Sequence, residues 1–446
     1  MERTVVATGA ESGVDEATAA PAPQETLSGA ARLRRGYALF ILTLIFTCHI
    51  IDRGLPNILI EPVRQEFGLN DSQLGLFSGL AFAIAFSIAI LPMGYLSDRG
   101  NRRNLLAGAL LLWSLLTALT GMTKNFAQLI LVRFGIGLAE AGGAPLTMTM
   151  LSDMYPPQKR ASALGILYMS GPIAGVVSAA VGGYIAAEHG WRAAFFIAGL
   201  PGLLLAVLLM LTVPEPPRGR WDDAGAGEAA KPARPRISEA FHHVLKTPAL
   251  IGLVAAGTTM GLLNIAMSVW MSSFFIRVHG LGLKETGLIL GLGGGICALA
   301  TPPALGWLSD RLSPRNPRWP LRLIWGAGLI SLALTQVMLF SPVLAVSVVC
   351  FIVADMTRLG YAPLLYSVLM NHTPASIRGG VMSIMQLSTN LVGFGLGPLL
   401  TGALSDHFGG GTGIRYALAL VSLLFVLVAV LLIAASRGLY GARRAG

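Results

Sequence analysis

The chain has 446 residues, of which 12% are charged and 54% hydrophobic, and its mean hydropathy is +0.67. A soluble domain carries about 25% charge, so this chain is too poor in charge for a water-exposed globule and too apolar for a disordered protein. In a soluble protein the formal charge of +10 would suggest a nucleic-acid ligand. In a membrane protein the same excess marks cytoplasmic loops, and no nucleic-acid partner is expected.

The first thirty residues are small, polar and acidic. They lack the basic and apolar regions of a cleaved signal peptide, and a disordered cytoplasmic tail is expected over 1–35. Stretches long enough to cross a bilayer, about 20 apolar residues, then follow at 36–60, 73–97, 104–122, 126–150, 161–187 and 192–213. Residues 214–247 are rich in Pro, Gly and charge and read as a cytoplasmic linker. Six more spans follow at 248–278, 284–308, 320–340, 342–370, 378–404 and 414–436, with a short cytoplasmic tail from 438. The expected fold is an all-α membrane protein of twelve transmembrane helices in two six-helix bundles, 36–213 and 248–437. Cys48, Cys297 and Cys350 all lie in apolar stretches, with no disulfide framework and no metal-ligand spacing.

Lys and Arg set the orientation. With both termini in the cytoplasm, 22 of the 32 basic residues fall on inside loops and proximal tails and 6 on outside connections. Three more lie within spans, and Arg3 lies in the distal tail. This distribution accounts for most of the net charge without a basic ligand site.

The halves repeat. Gly94-Tyr-Leu-Ser-Asp98-Arg99 recurs as Gly306-Trp-Leu-Ser-Asp310-Arg311, 212 residues on. Gly143-Ala-Pro145 recurs as Tyr361-Ala-Pro363, 218 residues on, and at that offset Glu140 falls on Arg358. Matches in order at a nearly constant offset indicate a duplicated six-helix unit. The copies share one orientation, an arrangement that places a substrate site between them near the midplane.

Six ionisable residues sit inside spans: Asp52, Arg53, Arg133, Glu140, Asp355 and Arg358. A charge at the bilayer centre costs about 2.5–3.5 kcal/mol on insertion scales, so these must pair or face a polar cavity. Arg133 and Glu140 lie two turns apart on one helix face, and Asp355 and Arg358 can touch. Adjacent Asp52 and Arg53 point about 100° apart and cannot simply neutralise each other. Static interhelical ion pairs are one reading. The other assigns proton coupling to Asp52 and Glu140, with His49 one turn away as modulator, and assigns an anionic substrate to Arg53, Arg133, Asp355 and Arg358. Such a carboxylate gains or loses its proton as the cavity around it wets and dries.

A cytoplasmic gate is expected at Gly94, Asp98, Arg99, Arg102 and Arg103, with the second copy at Asp310 and Arg311. Asp98 is placed to cap a facing helix. The arginines are placed to pair with Asp153 and hold the halves closed on the inside. Span 5 carries Gly165, Gly171-Pro172, Gly175 and Gly182-Gly183, a pattern that serves close packing.

These features resemble the major facilitator superfamily over about residues 36–440. The first half is similar to its Spinster family in Asp52-Arg53, Pro56, Gly75-Leu76, the loop from Gly94 to Arg103 with Asn101 before the last basic pair, and Arg133 with Glu140-Ala141. It departs from eukaryotic members at Gly54 and Gly100, where an aromatic is usual, and at an early Pro145. The Gly-Pro span 5 resembles antiporters of the superfamily. The resemblance implies a proton-coupled, alternating-access transporter exporting an amphipathic anion such as a lysolipid or sphingoid phosphate. Asp52, Arg53, Arg133 and Glu140 would form its coupling and binding set. It would need no cofactor beyond the proton gradient and would act as a monomer on a small amphipathic substrate in the lipid bilayer. The Ala/Gly/Arg-rich composition points to a bacterial inner membrane. Import of small organic anions is the alternative within the fold, and a non-transporting membrane sensor the alternative of another class. The chain has no Walker A loop and no His-Glu-x-x-His motif, so neither an ATP-driven pump nor an enzyme is expected.

Overall fold

The computed structural model describes residues 28–219, 237–409 and 411–440, except for the side chains of 237, 296–299 and 375. Among the described residues all regular elements are helical, and ten helices are long and apolar enough to cross a membrane. One of these, Pro157–Thr212, has 56 residues. That is about 84 Å of helix, more than two crossings of a hydrocarbon core of about 30 Å. It bends at Gly190, whose φ of 81° is non-helical, and makes two passes. Residues 283–312 form one more.

The twelve passes are α1 (Gly29–Phe67), α2 (Asp71–Arg99), α3 (Arg102–Thr120), α4 (Phe126–Met154), α5 (157–189), α6 (191–212), α7 (Pro248–His279), α8 (283–312), α9 (Trp319–Phe340), α10 (Leu344–Asn371), α11 (Arg378–His407) and α12 (Gly411–Tyr440). The even number returns the chain to its starting side. That side, carrying Ser28, the linker and Tyr440, is called the terminal face here, and the opposite side the far face.

Polar caps start several helices. Ser28, Asn101 and Asn125 each accept from a backbone amide in the first turn, and Asn70 forms a capping box with Gln73. Within the spans, Thr43, Ser78, Thr147 and Thr401 satisfy their hydroxyls on the carbonyl four residues back.

Four expected boundaries are corrected. Of the tail 1–35, residues 1–27 lie outside the described residues, whereas 29–35 are helical because Ser28 caps a run of good helix formers. α1 continues to Phe67, past Pro56 and Pro62, well beyond the expected end at 60. The linker 214–247 contains a helix, Ile237–Lys246, whose Ala240 and Val244 are buried on the second half; residues 220–236 lie outside the described residues. At the other end α12 runs to Tyr440, and 441–446 of the expected tail are likewise outside them.

The backbone carries the repeat further than the side chains do. Left-handed Gly68 and Gly280, 212 residues apart, end α1 and α7. Only glycine takes such a φ freely. Gly142 and Gly360, 218 residues apart, interrupt α4 and α10. Wide π-helical turns occur at Leu76–Leu80 in α2, Val177–Val181 in α5, Ile289–Gly294 in α8 and Thr389–Leu396 in α11. Such turns mark bends and functional positions.

The halves touch at the far face and part toward the terminal face. One buried cluster there draws on both, with Leu59 and Phe77 from the first and Trp270, Phe274 and Phe275 from the second. Toward the terminal face the buried core divides into separate clusters, two in the first half and one in the second. Close backbone approaches follow the same division. A Cβ at Gly75 would lie 2.5 Å from the carbonyl oxygen of Pro398, one at Gly287 2.3 Å from that of Ala179, and one at Gly402 2.2 Å from that of Asp71. A Cβ at Gly94, Gly165, Gly306 or Gly379, toward the terminal face, would meet nothing within 4 Å.

Candidate functional site: a two-sided cavity backed by buried charge

Between the halves lies a cavity of about 560 Å³, walled by α1, α5, α7, α8, α10 and α11. Its walls are largely apolar, with Ile50, Met271, Leu290, Phe351 and Phe394 among them. Its polar groups are few: Arg53 and Asn57 from α1, Asn264 and Ser268 from α7, Asp355 and Arg358 from α10, Ser178 from α5 and Asn390 from α11.

Asp52 and Arg53 diverge as their spacing requires. Arg53 lines the cavity, with 21% of its side chain exposed, and its Nε donates to Glu140 Oε2 at 2.8 Å. His49 Nδ1 is 3.6 Å from the same oxygen, and its ring stacks on Phe46 and meets Trp113 edge-on. Asp52 turns into the first half and is buried. Its carbonyl oxygen accepts from Arg133 NH1 at 3.2 Å. Phe82 supports both arginines, each guanidinium 4.9 Å from its ring centroid.

The expected substrate set is thereby divided. Arg53, Asp355 and Arg358 face the cavity, whereas Arg133 is shut behind the rings of Phe77 and Phe82 and does not line it. Four ionisable groups of the first half, two acidic and two basic, thus form one cluster that reaches the cavity only through Arg53. Asp52 Oδ1, Glu140 Oε1, and Nε and NH2 of Arg133 are buried without a protein hydrogen-bond partner. Leaving such groups unpaired costs about 1–3 kcal/mol each, more when charged. In the second half Arg358 NH2 bonds Asp355, and its NH1 donates to Asn264 Oδ1 at 2.8 Å and to the Asn264 carbonyl at 2.9 Å. Asn264, on the start of the cavity-facing stretch of α7, has no sequence signal to single it out.

The loop motif behaves differently from the expectation. Arg102 does pair with Asp153, at 2.5 Å, but both belong to the first half. Its Nε also binds Glu215 at 2.9 Å, and Glu215 Oε2 accepts from the Arg103 amide at 2.7 Å. Arg218 donates to the carbonyls of Ser97, Asp98 and Gly100. Arg99 lies over Tyr95 and Arg311 over Trp307. The Arg102 contacts therefore clamp the α2–α3 turn to α4 and to the segment after α6; they do not tie one half to the other, because the halves stand apart here. Glu215 and Arg218 were hidden in the Pro-rich linker composition.

The ties between halves lie at the far face and were missed. Arg277 of α7 reaches Glu61 of α1 at 2.5 Å and Asp71 of α2 at 2.7 Å. Ser273 donates to Glu61 and Ser405 to Asp71, both at 2.6 Å. Asp406 of α11 accepts from the amides of Asp71 and Ser72 at 2.9 and 2.8 Å. Lys284 and Glu188 add an exposed pair at 3.7 Å.

A chain of twelve helical passes in two repeated halves around one charged cavity has the architecture of a secondary transporter, and the comparisons agree. The profile of the Major Facilitator Superfamily matches residues 42–351, and the chain belongs to that family. It is 30% identical over 414 residues to an MFS-type efflux pump of Mycolicibacterium smegmatis, covering 89% of this chain and 90% of that protein. It is 24% identical to protein spinster homolog 1 of Xenopus laevis (90% and 79% covered) and 24% identical to a hexuronate transporter of Bacillus subtilis (84% and 89%). Among solved structures it resembles a bacterial homologue of the human lysosomal transporter Spinster in an inward-facing, unoccupied conformation. That likeness has a TM-score of 0.83 and 26% identity, and covers 91% of this chain and 97% of the other. The occupied form of that homologue aligns with a TM-score of 0.76.

Proposed function

We propose that this facilitator-superfamily transporter is proton-coupled and exports an amphipathic organic anion by alternating access. The observation that carries the reading is the placement of Arg53, which contacts the buried Glu140 and lines the cavity at once. An anion in the cavity competes with Glu140 for the Arg53 guanidinium. Arg53 thereby links the proton on Glu140 to the occupancy of the cavity. Asp52 shares the same buried cluster and takes part in the same coupling. The apolar walls suit the aliphatic part of the cargo, and Arg53 and Arg358 suit its charged end.

The excess of basic residues on the terminal face supports its placement in the cytoplasm of a bacterial inner membrane. The structure then stands open to the inside, with the far face closed to the periplasm. The efflux pump among the relatives named above favours export. Asn57, Asn264, Asn390 and Ser268 favour a second reading, uptake of a small hydroxylated acid, in line with the hexuronate relative.

A thermal-shift screen of lysolipids, sphingoid phosphates and sugar acids against wild type and Arg53→Ala tests the site. A cargo should stabilise the wild type, and the shift should vanish in Arg53→Ala. Equal stabilisation of both would remove Arg53 from the binding site. The class of the stabilising ligand decides between the two readings.

A further inference from the structure

The linker helix Ile237–Lys246 buries only part of its apolar surface. Ala240 and Val244, one turn apart, are 0% and 5% exposed against the second half. The helix lies flush on α11, where a Cβ at Gly380 would come within 2.6 Å of the Ala240 Cβ. About 100° further round the helix stand Phe241 and Leu245, again one turn apart, 53% and 54% exposed. Glu239, His242 and Lys246 occupy the remaining, solvated arc. Apolar side chains left in water forgo the free energy of burial.

The helix ends at Lys246, and Pro248 opens α7, so it lies within one residue of a membrane span. Ile251, in the first turn of that span, is 41% exposed. Basic charge accompanies the helix: Lys246 at its end and Arg378 at the start of α11. The linker sequence before it adds Lys231, Arg234 and Arg236, against Glu239 alone from residue 231 to 246.

We propose that this helix lies in the membrane interface, with Phe241 and Leu245 inserted among the lipids of an anionic surface. An apolar arc flanked by basic charge is the composition of an interfacial helix, and basic residues near an anionic leaflet are attracted to it. The inference rests on α7 spanning the bilayer and is independent of the cargo. Because the helix packs on α11 below the π-turn at Thr389–Leu396, its lipid contact holds the terminal end of α11 at the membrane surface.

The test places nitroxides on Phe241→Cys, Leu245→Cys and His242→Cys, in full-length protein whose Cys48, Cys297 and Cys350 are replaced by Ala. In phosphatidylglycerol vesicles, oxygen should relax the 241 and 245 labels more than a water-soluble nickel complex does, with the reverse at 242. Replacing phosphatidylglycerol by phosphatidylcholine should make the two labels shallower. Equal nickel access at all three positions would overturn the proposal. Equal depth in both lipids would overturn the anionic assignment, and dipolar broadening between 245 labels would assign the face to a second copy of the chain. Hydrogen exchange on the wild type, should the cysteine-free background misfold, should be slower over 237–246 in phosphatidylglycerol than in phosphatidylcholine; equal exchange contradicts the proposal.

Discussion

Asp406, near the end of α11, accepts hydrogen bonds from the backbone amides of Asp71 and Ser72, the first turn of α2 in the other half. The Ser72 hydroxyl donates to the same carboxylate at 2.6 Å. A carboxylate at a helix N-terminus satisfies amides that have no partner within the helix and opposes the positive end of its dipole. Here the cap comes from the opposite half, so it exists only while the far face is closed. Asp406→Asn keeps the shape and removes the charge. Closure should weaken by about 0.5–1 kcal/mol. Distances between spin labels at Lys124→Cys and Glu285→Cys on the far face should show a larger open population, and an unchanged distribution would mean that Asp406 does not hold the face shut.

Arg277 carries more. Glu61 and Asp71 are both buried, and the Arg277 guanidinium stands between them. Arg64, more exposed, is 3.9 and 3.6 Å from the two acids. Removing one partner from a buried ionic cluster costs about 3–5 kcal/mol. Arg277→Gln should therefore drive the far face open much further than Asp406→Asn, by the same spin-label readout. An effect no larger than that of Asp406→Asn would show that Arg64 substitutes for it.

The glycine contacts predict effects of opposite sign. At Gly402 a side chain would meet the Asp71 carbonyl, so Gly402→Val should obstruct far-face closure and favour the state open there. At Gly94 there is free space in the present state. Gly94→Val should leave far-face closure intact and instead hinder closure of the terminal face when the halves rock. Cysteine-accessibility labelling of the two faces reads both variants. The same direction in both would contradict rocking about the central cavity.

Arg102 tests the role of the loop motif. Its contacts to Asp153, Glu215 and the Pro216 carbonyl lie inside the first half. Arg102→Gln should lower thermal stability, with a cost of about 3 kcal/mol for carboxylates left half-buried and unpaired, and should do so without substrate. A variant of unchanged stability that only alters transport would return the motif to a purely gating role.

The features legible in sequence were those that break a local rule. Six charges inside apolar runs announced the buried cluster, and the pairing of Asp355 with Arg358 followed from helical spacing. The repeat announced the doubled architecture, because Gly94 and Gly306 recur with their Asp-Arg pairs. The far-face lock was not legible. Glu61, Asp71 and Arg277 sit near helix ends, where charge is ordinary, and Arg277 contacts acids 206 and 216 residues away. Arg133 looked equivalent to Arg53 because helical phase alone does not show which wall a helix turns to the cavity. Glu215 and the helix at Ile237–Lys246 were masked by Pro- and Gly-rich neighbours.

The coupling proposed here joins the protonation of buried Asp52 and Glu140 to an anion held by Arg53. Its most direct test is transport by purified protein in liposomes under an imposed pH gradient, using a ligand found by thermal shift and comparing wild type with Asp52→Asn and Glu140→Gln. The gradient should drive accumulation by the wild type, and each variant should lose the pH-driven component while retaining movement of cargo down its own gradient. Undiminished pH-driven accumulation in both variants would contradict it.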